Sequence, residues 1–211
     1  MTINDNNLSE ILNVLSDYED TDLLIVTKNQ STQDVSSLIS RGFKLFGENR
    51  VQEAKLKFQS FNSHKDIELH LIGPLQSNKA KNALEIFDVI QTIYRYSIID
   101  EISKQLLKLP SIKTKRFFIQ VNIGDEKQKS GIPKKDLLEI YNYSIDKKLN
   151  IYGLMCIPPN IPNPSHFFRE MIEIRNNINK ELKLSMGMSN DYKYALKQKS
   201  NLIRVGSLIF K

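Results

Sequence analysis

Short runs of apolar, mostly β-branched residues recur along this chain, separated by segments of helical period. Eight of these runs read as strands: Leu23–Thr27, Lys44–Phe46, Glu68–Ile72, Val89–Thr92, Arg116–Asn122, Ile151–Cys156, Lys183–Ser185 and Asn201–Val205. Most do not alternate apolar with polar positions, which is the pattern of parallel strands covered on both faces. Amphipathic helices lie between them. Thr32 stands as the cap of a helix carrying Val35, Leu38 and Ile39, and Gly42 sits where a glycine closes a helix. Glu48–Phe58 places Val51, Ala54 and Phe58 on one face. Ser97 caps Ile98–Leu109, which Pro110 stops. Pro133 fits a first helical position ahead of Leu137, Leu138 and Tyr141. Ser165 caps a helix that buries Phe168, Met171, Ile172 and Ile178. A short helix follows Ser189, and Leu8–Tyr18 forms one more before the first strand.

Strands joined by crossover helices predict a single (β/α)8 TIM barrel spanning residues 1–211 as one α/β domain, with an extra N-terminal helix. A doubly wound open sheet is the alternative, but no Gly-x-Gly-x-x-Gly loop follows the first strand. The chain stops at Lys211, just past the eighth strand, so an outer eighth helix is expected to be missing. Leu8–Tyr18 is expected to cover that gap.

Composition narrows the class. The single cysteine, Cys156, excludes a disulfide framework and a multi-cysteine zinc site. No apolar run approaches the roughly 18 residues of a membrane span, and Met1–Asn7 shows no signal-peptide pattern. A cytoplasmic protein is expected. The net charge of +6 comes from scattered lysines rather than a basic run, so a solvated surface is favoured over a nucleic-acid partner.

A barrel does its chemistry at the C-terminal ends of its strands. Here those ends carry Lys28, Glu48-Asn49, Gly73-Pro74, Tyr94-Arg95, Asn122, Ile157-Pro158, Met186-Gly187-Met188-Ser189 and Gly206-Ser207. Lys28 follows an apolar strand, where partial desolvation would free its amine for attack on an aldehyde; the bland reading is a lysine that reaches water. Gly187-Met188-Ser189 and Gly206-Ser207 fall after strands seven and eight, where barrels often bind phosphate on backbone N–H groups, although both can equally be ordinary turns. Arg204, inside the last strand, needs either an internal salt bridge or a ligand ring nitrogen. Asn49 is a candidate ligand contact, while Glu48 is expected to cap or charge the start of its helix. His64, His70 and His166 show no metal-ligand spacing, His70 reads as a structural histidine, and Cys156 reads as an inert buried thiol.

Together these residues resemble the pyridoxal-phosphate homeostasis proteins, whose fold is similar to the N-terminal barrel of alanine racemase. The matching stretches are Leu24–Lys28, Phe46–Glu53, His70–Lys79, Val121–Ile123 with Lys129–Gly131, Gly153–Met155, Leu184–Asp191 and Arg204–Ser207. They follow the family's order over almost the whole chain. The departures are Thr27 where the family has Ser, no Pro within residues 29–31, Tyr94 where an Asp is usual, and an end at Phe210-Lys211 where Gly and Arg commonly follow.

The resemblance implies that Lys28 carries pyridoxal 5′-phosphate (PLP) as an aldimine. It implies that Ser189, Gly206 and Ser207 hold the phosphate, that Arg204 faces the pyridine nitrogen, and that Asn49 lies beside the cofactor. Three functions are then weighed: a PLP carrier for vitamin B6 homeostasis, a PLP-dependent amino-acid racemase, and a Schiff-base aldolase acting on a phosphosugar. Racemisation needs a base on each face of a carbanion, and alanine racemase takes its second base from a β-rich domain that this chain lacks. An Arg at the ring nitrogen also weakens the ring as an electron sink. The carrier is therefore expected, with weak turnover at most, working as a monomer and passing PLP to apo-enzymes, with no nucleic-acid or membrane partner.

Overall fold

The computed structural model describes residues 3–61, 64–109 and 111–210. The chain begins with α1 (Asp5–Leu15). Then follow β1 (Asp22–Val26), α2 (Thr32–Ser40), β2 (Leu45–Glu48), α3 (Val51–Phe58), β3 (Glu68–Leu71), α4 (Ala80–Ile86), β4 (Val89–Ile93) and α5 (Tyr96–Lys108). The second half holds β5 (Arg116–Asn122), β6 (Ile132–Pro133), α6 (Leu137–Asp146), β7 (Ile151–Cys156), α7 (Ser165–Ile178), β8 (Lys183–Met188), α8 (Tyr192–Lys197) and β9 (Leu202–Val205). All pairings in the main sheet are parallel. The order β4-β3-β2-β1-β9-β8-β7-β5 closes through β4–β5 into an eight-stranded barrel, and the two-residue β6 adds only to the end of β5. The eight expected strands are those of the barrel.

Closure removes every sheet edge, so each strand must be covered inside and out. Outside, the helices pack on Ile25, Phe46, Leu69, Leu71, Ile90, Leu154, Leu184 and Ile203 in one large apolar cluster. Inside lies a smaller apolar group of Val89, Phe118 and Met155. Polar side chains, among them His70, Gln91, Ser185 and Arg204, share the interior with further apolar ones such as Leu24 and reach up to the mouth described below.

Helix ends explain most departures from the expected boundaries. Ser31 rather than Thr32 caps α2: its hydroxyl accepts the Asp34 N–H at 3.1 Å, and the Asp34 carboxylate accepts the Ser31 N–H at 3.1 Å. At the other end Phe43 N–H reaches Leu38 C=O at 3.1 Å and Gly42 N–H reaches Ile39 C=O at 2.9 Å. Gly42 has φ +90°, the left-handed turn that this closure requires. Glu48 belongs to β2 and not to the following helix. Arg95, not Ser97, precedes α5, so Ser97 lies in its first turn. Pro133 pairs within β6, and a 3₁₀ turn over Lys134–Asp136 intervenes before α6. Pro164 precedes α7, and Ser165 is its first residue. Pro110, expected to stop α5, lies outside the described residues.

Each barrel strand except β9 is followed by an outer helix, and α1 takes the eighth place in the ring. Glu10 pairs with Lys193 of α8 at 2.7 Å on one side, and Asp5 pairs with Arg41 after α2 on the other. Asn7 donates to Leu208 C=O at 2.7 Å, and Asn4 N–H donates to Ile209 C=O at 2.7 Å. Leu8 and Ile11 are buried against the core. Helix α1 thus covers the gap, as the sequence suggested. Among the described residues no helix is long and apolar enough to cross a membrane.

If α1 is an integral wall of the barrel, Ile11→Ala should cost about 3 kcal/mol of stability in urea unfolding. A loss below about 0.5 kcal/mol, the range of a surface substitution, would show that α1 is only draped on the surface.

Candidate functional site

Strand ends from β1, β2, β3, β7, β8 and β9 meet around one cavity of about 390 Å³ at the C-terminal mouth of the barrel, whereas Tyr94, Arg95 and Asn122 do not line it. Lys28, Asn49, Ser189, Arg204, Gly206 and Ser207, all six expected site residues, line it. Lys129 and Asp191 line it as well, and apolar contact comes from Val26, Ile72, Ile157 and Pro158. The arrangement follows from topology. β1 and β9 are neighbours with Leu24 opposite Arg204, so the loop carrying Lys28 stands beside the loop carrying Gly206 and Ser207.

The backbone that carries Lys28 is held from below. Thr27 donates its hydroxyl to Glu48 Oε1 at 2.7 Å, and Lys57 of α3 donates to the same oxygen at 2.7 Å. Lys57 also donates to Thr27 C=O at 2.6 Å and to Glu53 at 3.0 Å. Glu53 in turn accepts the Asn29 N–H at 2.6 Å. Three side chains therefore grip the residues on both sides of Lys28. Asn29 sits at φ +61°, a left-handed conformation that asparagine tolerates, which turns the chain sharply just after the lysine. Glu48 is fully buried. Burial pushes its carboxyl up in pKa, against the hydrogen bonds from Lys57 and Thr27. The expectation that Glu48 serves a helix start is thus corrected: it anchors the lysine loop.

Lys28 itself is exposed at the cavity rim. Of the two sequence readings, the exposure fits a lysine that reaches water while still lining the cavity.

Arg204 is buried at 3% exposure, beneath the mouth. It donates to Ser185 Oγ at 2.8 Å and to Cys156 C=O at 2.8 Å. Among the described residues no carboxylate lies within ion-pair distance of it, and Asp191 acts on it only as a longer-range charge. The bland sequence reading, an internal salt bridge, does not hold.

The turn after β8 presents Ser189. Gly187, at φ +96°, allows α8 to pack close, since an added Cβ would meet Ala195 Cβ at 2.6 Å. Asp191 accepts the Met188 N–H at 2.5 Å and precedes α8, so a carboxylate already stands at the start of that six-residue helix. Burial pushes the Asp191 carboxyl up in pKa. The polar groups that remain open at this mouth are therefore on the loops rather than at the helix start. Gly206 N–H donates to Ser189 Oγ at 3.4 Å, a long hydrogen bond that ties the turn after β9 to the turn after β8. Ser207 is exposed beside it.

Cys156 is fully buried, and burial pushes its thiol up to about 12, so it is inert at neutral pH. His70 is buried in β3 with both ring nitrogens hydrogen-bonded, as a structural histidine should be. The sequence reading missed Lys57, Glu53 and Asp191. It also missed the buried Gln91 and Ser185, whose only signal was a polar residue at an inward position of an otherwise apolar strand.

No family model matches the chain. A curated pyridoxal phosphate homeostasis protein of Haemophilus influenzae is 38% identical over 200 residues, covering 89% of this chain and 83% of that protein. The solved structure of PipY from Synechococcus elongatus with PLP bound superposes with a TM-score of 0.86 at 29% identity, covering 98% of this chain and 99% of that one. Alanine racemase from Acinetobacter baumannii shares the fold alone, with a TM-score of 0.77 at 15% identity, and this chain spans 62% of it.

Lys57 and Glu48 form a buried ion pair, with side chains 6% and 0% exposed. Glu48→Ala leaves the ammonium without its main partner and should cost about 3 kcal/mol in urea unfolding, whereas replacing both residues with apolar ones should cost much less. Equal losses in the two variants would refute the coupling.

Proposed function

The chain belongs to the family of pyridoxal phosphate homeostasis proteins, and we propose that it holds PLP in the mouth of its barrel as a carrier, without substantial turnover. The observation that carries this reading is the convergence of an amine, a buried guanidinium and three anion donors on one cavity of about 390 Å³. That volume lies within the range of small-molecule sites, roughly 300–1,000 Å³. The donor set fits the cofactor group by group. Ser189 Oγ, Gly206 N–H and Ser207 Oγ would hold its phosphate, Arg204 would face its ring nitrogen, Asn49 would flank its ring, and Lys28 would meet its aldehyde.

When bound, PLP supplies an aldehyde that condenses reversibly with primary amines. The protein's own part is to position and to exclude. The grip of Glu48, Lys57 and Glu53 fixes the loop of Lys28 while leaving its amine exposed, where a competing amine can reach it. Arg204 has donors only, so a ring nitrogen set against it is kept as an acceptor, unprotonated. That favours carriage over carbanion chemistry. The other ionisable groups lining the cavity support the same view. Lys129 is engaged by Glu126 at 2.5 Å and by Pro158 C=O at 3.1 Å, and Asp191 by the Met188 N–H. Neither stands free as a second base opposite Lys28. In this reading the protein works as a cytoplasmic monomer and supplies apo-enzymes that use PLP.

Purified protein mixed with PLP should become yellow, and borohydride reduction should leave a pyridoxyl group on the peptide containing Lys28, read by mass spectrometry. Lys28→Ala should lose the fixed label. Protein that takes up no PLP overturns the reading. Amino-acid racemisation at rates typical of enzymes, lost in Lys28→Ala, would replace the carrier with a racemase.

A further inference from the structure

A line of side-chain hydrogen bonds crosses the inside of the barrel, from the cavity at one end to the recess at the other. Arg204 of β9 donates to Ser185 of β8 at 2.8 Å, and Ser185 donates to Gln91 Oε1 of β4 at 2.7 Å. Gln91 Nε2 meets His70 Nδ1 of β3 at 2.7 Å, and His70 Nε2 meets Glu68 at 2.6 Å. Glu68 is also paired with Arg116 of β5. Glu68, His70 and Arg116 line a recess of about 240 Å³ at the N-terminal ends of the strands. β4 and β8 are not neighbours in the sheet, so the Ser185–Gln91 bond spans the barrel interior.

The direction of every bond follows from its two ends. Arg204 can only donate, so Ser185 must accept from it, and with the Glu68 carboxylate accepting at the other end the Ser185 proton goes to Gln91 Oε1. The Gln91 amide is thereby oriented with its NH₂ toward His70. His70 Nδ1 then accepts, which places its one ring proton on Nε2, aimed at the Glu68 carboxylate. Burial disfavours a second proton on His70, in agreement with the neutral ring that this sequence of donors needs. The line runs one way, donor to acceptor, from a cation at the mouth to a carboxylate at the far end. A buried guanidinium without an adjacent carboxylate needs such compensation.

We propose that Ser185, Gln91 and His70, anchored by Glu68, are positioning residues for Arg204. They fix the orientation of its guanidinium, and so the N–H groups left to face a ligand in the cavity. The proposal rests on the cofactor reading above, because it assigns that ligand as the ring of PLP.

Two measurements test it. In the protein without cofactor, ¹⁵N NMR of the histidine ring should show His70 as the neutral Nε2–H tautomer, and Ser185→Ala should perturb that resonance from across the barrel. In the loaded protein, Ser185→Ala should weaken PLP binding about tenfold, the scale of one lost hydrogen bond to a charged group. It should also shift the absorption band of the bound cofactor, while borohydride still labels Lys28. Ser185→Thr, which keeps the hydroxyl, should restore both. Gln91→Met breaks the next link and should reproduce the spectral shift, so the test survives if Ser185→Ala does not fold. An Nδ1–H tautomer for His70, or affinity and spectrum unchanged in both Ser185→Ala and Gln91→Met, overturns the positioning role while leaving the cofactor reading intact. Wild-type protein that binds no PLP removes the cofactor reading, and this role with it.

Discussion

Much of this structure answers a single requirement: a permanently charged guanidinium is buried inside a barrel where, among the described residues, no carboxylate stands at contact distance. Moving an unpaired ion out of water costs several kcal/mol even after relaxation. The interior therefore supplies dipoles instead of a counter-ion. The Cys156 carbonyl and the Ser185 hydroxyl take two of the Arg204 N–H groups. Those acceptors must themselves be oriented, which draws Gln91, His70 and Glu68 into place. An interior that packing alone would fill with Val, Ile and Leu is here half polar, and the polar half lies on a path to the mouth.

The second polar group, Glu48 with Lys57 and Glu53, lies outside the barrel wall, under the helices. It shares the same logic with the opposite emphasis. The interior line holds a side chain still, whereas the outer group holds backbone still and leaves a side chain free. Lys57 and Glu53 bind the Thr27 carbonyl and the Asn29 amide, so the peptide units around Lys28 are fixed although its amine is not. Rigid support beneath an exposed amine suits a group that must be found in one place and yet remain open to exchange.

The barrel was legible because its strands are continuous apolar runs and its helices are strongly amphipathic, signals that local sequence carries. The six candidate residues could be gathered from the sequence because strand ends are easy to locate and their ordered motifs resemble one family, and the structure sets all six around one cavity. Boundaries were harder. Ser31 and Thr32 are both good caps, and only Asp34 three residues after Ser31 decides between them. Glu48 looked like the acidic start of a helix because nothing local shows Lys57 waiting nine positions on, above the strand. Gln91 and Ser185 were invisible as a pair, since they are 94 positions apart and meet only once the barrel closes. The exposure of Lys28 could not be decided in sequence, since an apolar strand end allows either a partly desolvated amine or one that reaches water.

The ring of helices is completed by α1, which precedes every barrel strand in sequence. Ile3 bridges Phe210, and Asn4 is tied to Ile209, so residues more than 200 positions apart are sewn together. Contacts so distant along the chain carry the largest loop-closure entropy and are slow to form. During synthesis α1 leaves the ribosome with its apolar stripe of Leu8 and Ile11 bare, and its seat exists only after β9 has arrived. The barrel consequently gains its last wall only once β9 has been made, and until that moment the nascent chain carries a greasy helix that other surfaces can capture.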